Sequence, residues 1–157
     1  MPKIEFIEKN NEEQVIEILN PLVREWFFSK YESFSLTQLY GVKNIHDRKN
    51  ILVSAPTGGT KTLTAFLSIL NYLVELSLKN ELEDKIYAVY VSPLKALSSD
   101  IHVNLVQPLS EIQQLGEKKG LKMLDIRVGL RTGDTNIAER AKMARKVPHI
   151  LVTTPES

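Results

Sequence analysis

Four short apolar runs recur along the chain: Ile51-Leu52-Val53-Ser54, Ile86–Ser92, Leu124–Leu130 and His149–Thr153. Runs of this length, rich in Ile, Val and Leu and without polar alternation, suit strands buried on both faces of a parallel sheet. Longer stretches with helical periodicity separate them. Thr62 to about Leu78 is apolar nearly all round, through Leu63, Phe66, Leu67, Leu70, Leu73 and Val74, and reads as a buried helix. After Pro93 a helix carries Leu97, Ile101, Leu105, Leu109 and Ile112 on one side, and Asn136–Arg145 forms a shorter one that Pro148 ends. Strands alternating with helices predict an α/β domain built on a parallel sheet.

The first 34 residues are different in kind and read as a helical entry segment. Asn10 or Asn11 can cap a helix whose first turn holds Glu12 and Glu13, and Pro21 opens a second helix through Trp26 and Phe27. A third is expected around Gln38–Ile45. Of Trp26, Phe27 and Phe28, at least two are expected in the core.

Composition narrows the possible functions. The net charge is +1, so no global basic field draws in nucleic acid and any such site must be a local patch. The absence of cysteine removes disulfides, thiol catalysis and thiolate metal sites. His46, His102 and His149 have no metal-ligand spacing and are expected at the surface or in loops. The N-terminus is mixed and charged, unlike a secretory signal, and no apolar run approaches a membrane span. These features predict a soluble, cytoplasmic protein.

Each apolar run closes in a loop of small and polar residues: SAPTGGTKT, SPLKA, RTGDT and TTPES. In open parallel sheets ligands bind at the carboxyl ends of the strands, so these loops predict one functional edge. The first, Ala55–Thr62, joins a strand to a helix. Such a loop can wrap a phosphate chain with backbone N–H groups at the helix start. Thr57, Gly58, Gly59 and Thr60 would form the cradle, Lys61 would meet the β/γ phosphates, and Thr62 would hold Mg²⁺ through its hydroxyl. A glycine-rich turn with an exposed lysine is the plainer alternative. The pattern also wants glycine directly before the lysine, where this chain has Thr60; if positive φ is needed there, threonine costs about 1–2 kcal/mol. Weak nucleotide affinity limited by Thr60 is therefore expected.

Five segments in order resemble the first motor domain of superfamily 2 helicases (DEAD/DEAH-like), most closely the Lhr-type branch. Ser35-Leu36-Thr37-Gln38 resembles the Q motif, with Gln38 seventeen residues before Ala55. Ala55–Thr62 resembles motif I, Ser92–Leu97 motif Ia, Arg131–Thr135 the Ib region, and Thr153-Thr154-Pro155-Glu156-Ser157 motif Ic. Asn20–Phe27 is similar to the usual entry segment. The resemblance implies an incomplete RecA-like (P-loop) parallel sheet flanked by helices, with residues 35–157 as its core. It implies ATP and Mg²⁺ as cofactors, with Gln38 reading the adenine edge. It also implies that Pro93, Leu94, Lys95, Arg131, Thr132, Gly133, Asp134, Thr154, Pro155 and Glu156 grip a single nucleic-acid strand, DNA favoured over RNA.

In that family an acidic motif II follows shortly after TTPES, and its strand lies between the phosphate-loop strand and the others. The chain is thus expected to be ATPase-dead alone, with Ile51–Ser54 lacking its usual partners. It would be a piece of a longer helicase, a split gene or a degenerate remnant, completed by the rest of the helicase or by a partner chain supplying motif II. A non-enzymatic remnant that binds nucleic acid or a partner is the alternative. A small-molecule kinase with the same phosphate loop ranks last, because SPLKAL and TTPES have no use in one.

Overall fold

The computed structural model describes residues 1, 3–56, 60–93 and 99–157. Thr57, Gly58, Gly59, Leu94, Lys95 and Leu97 therefore lie outside the described residues. The chain divides into two compact units, 1–72 and 73–157, with the boundary inside one helix.

The first unit is helical. α1 (Glu12–Ile18) begins at a capping box: Asn11 accepts from the Gln14 N–H, and the Gln14 side chain accepts from the Asn11 N–H. α2 (Pro21–Lys30) follows Asn20 as cap, with proline in its first turn. Trp26 and Phe27 are buried, whereas Phe28 stays 37% exposed. Phe27 stacks on Phe34 with ring centroids 4.6 Å apart. α3 (Leu36–His46) starts at a second capping box, Ser35 with Gln38. α4 (Lys61–Leu78) begins in this unit. Its buried polar residues serve the backbones of the other helices. Asn71 accepts from the Asn20 N–H at 2.6 Å and donates to the Ile18 carbonyl at 2.9 Å, and Ser68 donates to the Val42 carbonyl at 2.7 Å. The Ile18 carbonyl is one that the end of α1 leaves open, and the Asn20 N–H lies just before the start of α2.

The second unit holds the sheet. β1 (Ala88–Val91), β2 (Val128–Arg131) and β3 (Ile150–Thr153) are all parallel, in the order β1-β3-β2. β3 is central, and Ile150 and Val152 are fully buried. The face carrying Val128, Leu130 and Val152 meets Ile101, Val106 and Leu109 across an apolar cleft. Those residues come from a helical stretch with a π-helical turn, His102–Val106, running into α5 (Gln107–Lys118). Pro108 accounts for the wide turn. It has no N–H to give the carbonyl four residues back, and its ring would crowd that carbonyl, so the preceding turn opens to i→i+5 bonding. The Gln107 N–H accordingly donates to the His102 carbonyl. α6 (Ile137–Arg145), capped by Asn136, has no buried residue.

Two expectations are corrected. Ile51–Ser54 is not a strand: the run has no regular structure, and Leu52 is 92% exposed. A strand exists only through its ladder, and no partner among the described residues supplies one. His149 is not a surface or loop residue but 1% exposed, at the entry to β3. Its Nδ1 accepts from the Arg127 N–H at 2.9 Å, so that nitrogen carries no proton. Burial first, then the nearby Arg127 cation, holds its pKa below the usual value of 6.5. Arg127 itself donates to the Val147 carbonyl at 3.1 and 2.8 Å and pairs with Asp84. This network ties together the amino ends of β2 and β3.

Candidate nucleotide and nucleic-acid sites

Two groups of candidate residues have a defined geometry, one in each unit. In the first unit the two capping residues Ser35 and Thr60 come together, because their hydroxyls share a short hydrogen bond. The Thr60 carbonyl accepts from the Thr64 N–H at 2.8 Å and from the Thr64 hydroxyl at 2.6 Å, which closes the first turn of α4. Gln38 is 1% exposed, and its Oε1 accepts from the Ser35 N–H at 2.8 Å. That carbonyl oxygen has a second lone pair. Lys61 is exposed, and its ammonium donates to the Ala55 carbonyl at 2.7 Å. One of its three protons is used there. Thr62 stands in the first turn of α4, half-buried.

In the second unit the register decides the geometry. Val91 aligns with Thr153, and Thr153 aligns with Arg131. Pro93, Gly133 and Pro155 each follow two residues later, so the three loops leave one edge of the sheet together. The Ser92 N–H extends the ladder to the Thr153 carbonyl at 3.1 Å.

The loop after β2 is a closed turn. The Thr132 N–H donates to the Thr135 hydroxyl at 2.8 Å, and the Thr135 N–H returns to the Thr132 carbonyl at 3.2 Å. Arg131, Gly133 and Asp134 are exposed along it. The loop after β3 turns back at Ser157, whose hydroxyl pairs with that of Thr154 at 2.8 Å. Thr154 is thereby buried, while Pro155 and Glu156 are exposed.

Three residues of these two groups make contacts that sequence reasoning did not assign. Arg140, on α6, donates to the Thr135 carbonyl at 3.0 Å and to those of Thr132 and Gly133 at 3.4 Å each. A cation one turn into a helix that starts just after a loop is the only signal the sequence offered for it. Ser35 was noted as part of a motif, but not as a partner of Thr60. Thr64, a polar residue within the apolar helix from Thr62 to about Leu78, carried no signal of its own.

The sequence from 35 to 157 matches the DEAD/DEAH box helicase family. The chain belongs to that family. Among its helicase relatives, the ATP-dependent helicase Lhr-Core of Methanocaldococcus jannaschii is 48% identical over the whole chain, which spans 19% of that protein. The Lhr helicase/uracil glycosylase of Escherichia coli is 37% identical over 90% of the chain, which spans 9% of it. A solved structure of the helicase Lhr of Mycobacterium smegmatis, bound to ssDNA and AMP-PNP, superposes with a TM-score of 0.79 at 37% identity, over 90% of this chain and 18% of that one. The DEAD-box helicase Mss116 shares the fold, with a TM-score of 0.70 at 20% identity. The Lhr-type resemblance carried by the motifs and the RecA-like α/β class agree with these relatives. The chain spans a fifth or less of the length of these Lhr relatives.

Proposed function

We propose that this helicase chain is the part of an ATP-dependent helicase that binds ATP and a single nucleic-acid strand, and that these 157 residues do not hydrolyse ATP by themselves. The observation that carries the strand-binding reading is the register of β1, β3 and β2, which brings the loops at Pro93, Gly133 and Pro155 to one edge. Exposed backbone and small polar side chains at strand ends suit phosphates and sugar without reading sequence. DNA is favoured over RNA because the Mycobacterium smegmatis Lhr structure holds ssDNA.

The nucleotide reading rests on the first unit. Lys61 opens α4, where a cation and helix-terminal N–H groups favour a phosphate chain. On binding, its remaining ammonium protons would meet phosphate oxygens. Gln38 can use its second lone pair and its amide protons on the adenine edge. Thr62 would offer one oxygen to Mg²⁺, and no cluster of three acidic or histidine side chains stands ready to hold a cation among the described residues. The ion would therefore be held jointly with the nucleotide's own phosphates.

Hydrolysis is a separate matter. Phosphoryl transfer needs a carboxylate on Mg²⁺ and a group that orients the attacking water. No Asp is followed directly by Glu in these residues, and the one adjacent pair of the two, Glu83-Asp84, has its Asp84 paired with Arg127. The rest of the helicase or a partner chain would supply it.

Titration of the chain with ATP and ADP, with and without a single-stranded oligodeoxynucleotide, tests the reading. Saturable binding of both ligands, with phosphate release no faster than in Lys61→Ala, is the expected result. Binding of the oligonucleotide with no nucleotide affinity under any condition would favour the non-enzymatic alternative, and robust turnover would overturn the division of labour.

A further inference from the structure

The Ser35–Thr60 hydroxyl pair stands where the phosphate-loop pattern would place a glycine without a side chain. Thr60 is held on its other side by α4, through the two bonds from Thr64 to its carbonyl. Ser35 is held by α3, since its hydroxyl accepts from the Gln38 N–H at 3.3 Å and its own N–H donates to Gln38 Oε1 at 2.8 Å. A continuous polar path therefore runs from the residue preceding Lys61 to the carboxamide of Gln38. Every member is partly or wholly buried. Low local dielectric makes such a path stiff, and it makes a lost member costly.

We infer that Thr60 is a positioning residue: through Ser35 it fixes the carboxamide of Gln38, and so couples base recognition to the phosphate loop. This rests on the nucleotide-binding reading above. The balance of donors is consistent with it. Ser35 Oγ already accepts from the Gln38 N–H and keeps its own proton, which it can donate to Thr60 Oγ1. A glycine at 60 would leave that proton without its partner and let the α3 cap rotate. Threonine here is then a strut between two recognition elements, and its effect is on which base is accepted.

The test compares ATP, GTP and inorganic tripolyphosphate binding to the native chain, Thr60→Val and Thr60→Ser. Valine keeps the shape and removes the hydroxyl, while serine keeps the hydroxyl. The ATP-over-GTP preference should fall roughly three- to tenfold in Thr60→Val, the worth of one net hydrogen bond, and survive in Thr60→Ser. Tripolyphosphate affinity reports any change in the phosphate cradle itself, which acts on ATP and GTP alike and leaves their ratio to report Gln38. Amide hydrogen exchange of the ligand-free proteins supplies a second readout, and the Gln38 N–H should exchange faster in Thr60→Val only.

An unchanged ATP-over-GTP preference in Thr60→Val overturns the coupling, whatever happens to tripolyphosphate affinity. Failure of the native chain to bind any of the three ligands overturns the nucleotide reading itself, and the inference with it. The exchange data show in that case whether the strut exists as a structural link alone.

Discussion

Gly41 on α3 packs directly on Thr64 of α4: a Cβ at Gly41 would stand 2.5 Å from Thr64 Cγ2. The methyl group cannot swing away, because the Thr64 hydroxyl is engaged by the Thr60 carbonyl at 2.6 Å and fixes the rotamer. Gly41→Ala should destabilise the chain by about 1–3 kcal/mol, the usual cost of overpacking. Thr64→Ser, which removes the methyl and keeps the hydroxyl, should recover most of that loss in the double variant. Denaturant unfolding of the four proteins in the cycle measures it. Additive losses would mean that the two residues do not meet.

The buried His149 predicts a pH dependence. Its folded pKa lies below 6.5, so between that value and 6.5 the unfolded chain binds a proton that the folded chain refuses. Stability is therefore fully present above about 6.5 and is lost as pH falls through the folded pKa, with a slope of up to about 1.4 kcal/mol per pH unit. His149→Asn, which keeps an acceptor for the Arg127 N–H, should flatten this part of the profile. Urea unfolding midpoints at a series of pH values decide it; parallel profiles for the two proteins would remove His149 as the source.

Arg140 holds the loop after β2 by its carbonyls, while Arg131, Gly133 and Asp134 stay exposed along it. Arg140→Ala should weaken single-strand binding roughly tenfold, in line with the loss of a charged group's hydrogen bonds. Arg140→Lys should not restore it, since an ammonium cannot span the three carbonyls as a guanidinium does. Fluorescence anisotropy with a labelled oligonucleotide gives the numbers. Full affinity in Arg140→Ala would show that the turn stands on the Thr132–Thr135 bonds alone.

Lys61→Ala removes the cation at the start of α4. ATP affinity should fall at least about tenfold, as expected for loss of a charge-assisted contact to phosphate. The oligonucleotide affinity in the absence of nucleotide should stay as it was. Isothermal titration against both ligands separates the effects, and equal loss of both would point to unfolding.

The legible parts of this protein are those that local chemistry decides. Asn11, Asn20, Ser35 and Asn136 cap helices next to themselves in sequence, so their helices could be read within a residue or two. The apolar runs at β1, β2 and β3 were readable as strands because each is rich in residues that suit a buried sheet, although the strands proved shorter than the runs. The loops that end them share an edge because parallel strands leave no other choice. The motif spacing named Gln38 and Lys61 as candidates for nucleotide contact.

What only the tertiary structure decided are relations between distant residues. Ile51–Ser54 has the composition of a strand, yet composition cannot provide the neighbour whose backbone completes a ladder. His149 looks like a loop residue until Arg127, twenty-two positions away, gives its ring a buried partner. Thr60 stands where the phosphate-loop pattern wants glycine, and the sequence does not show that its hydroxyl meets that of Ser35, twenty-five positions away. A side chain's role depends on the free energy of the groups around it, and a chain's order in sequence specifies those groups only for contacts within a few residues.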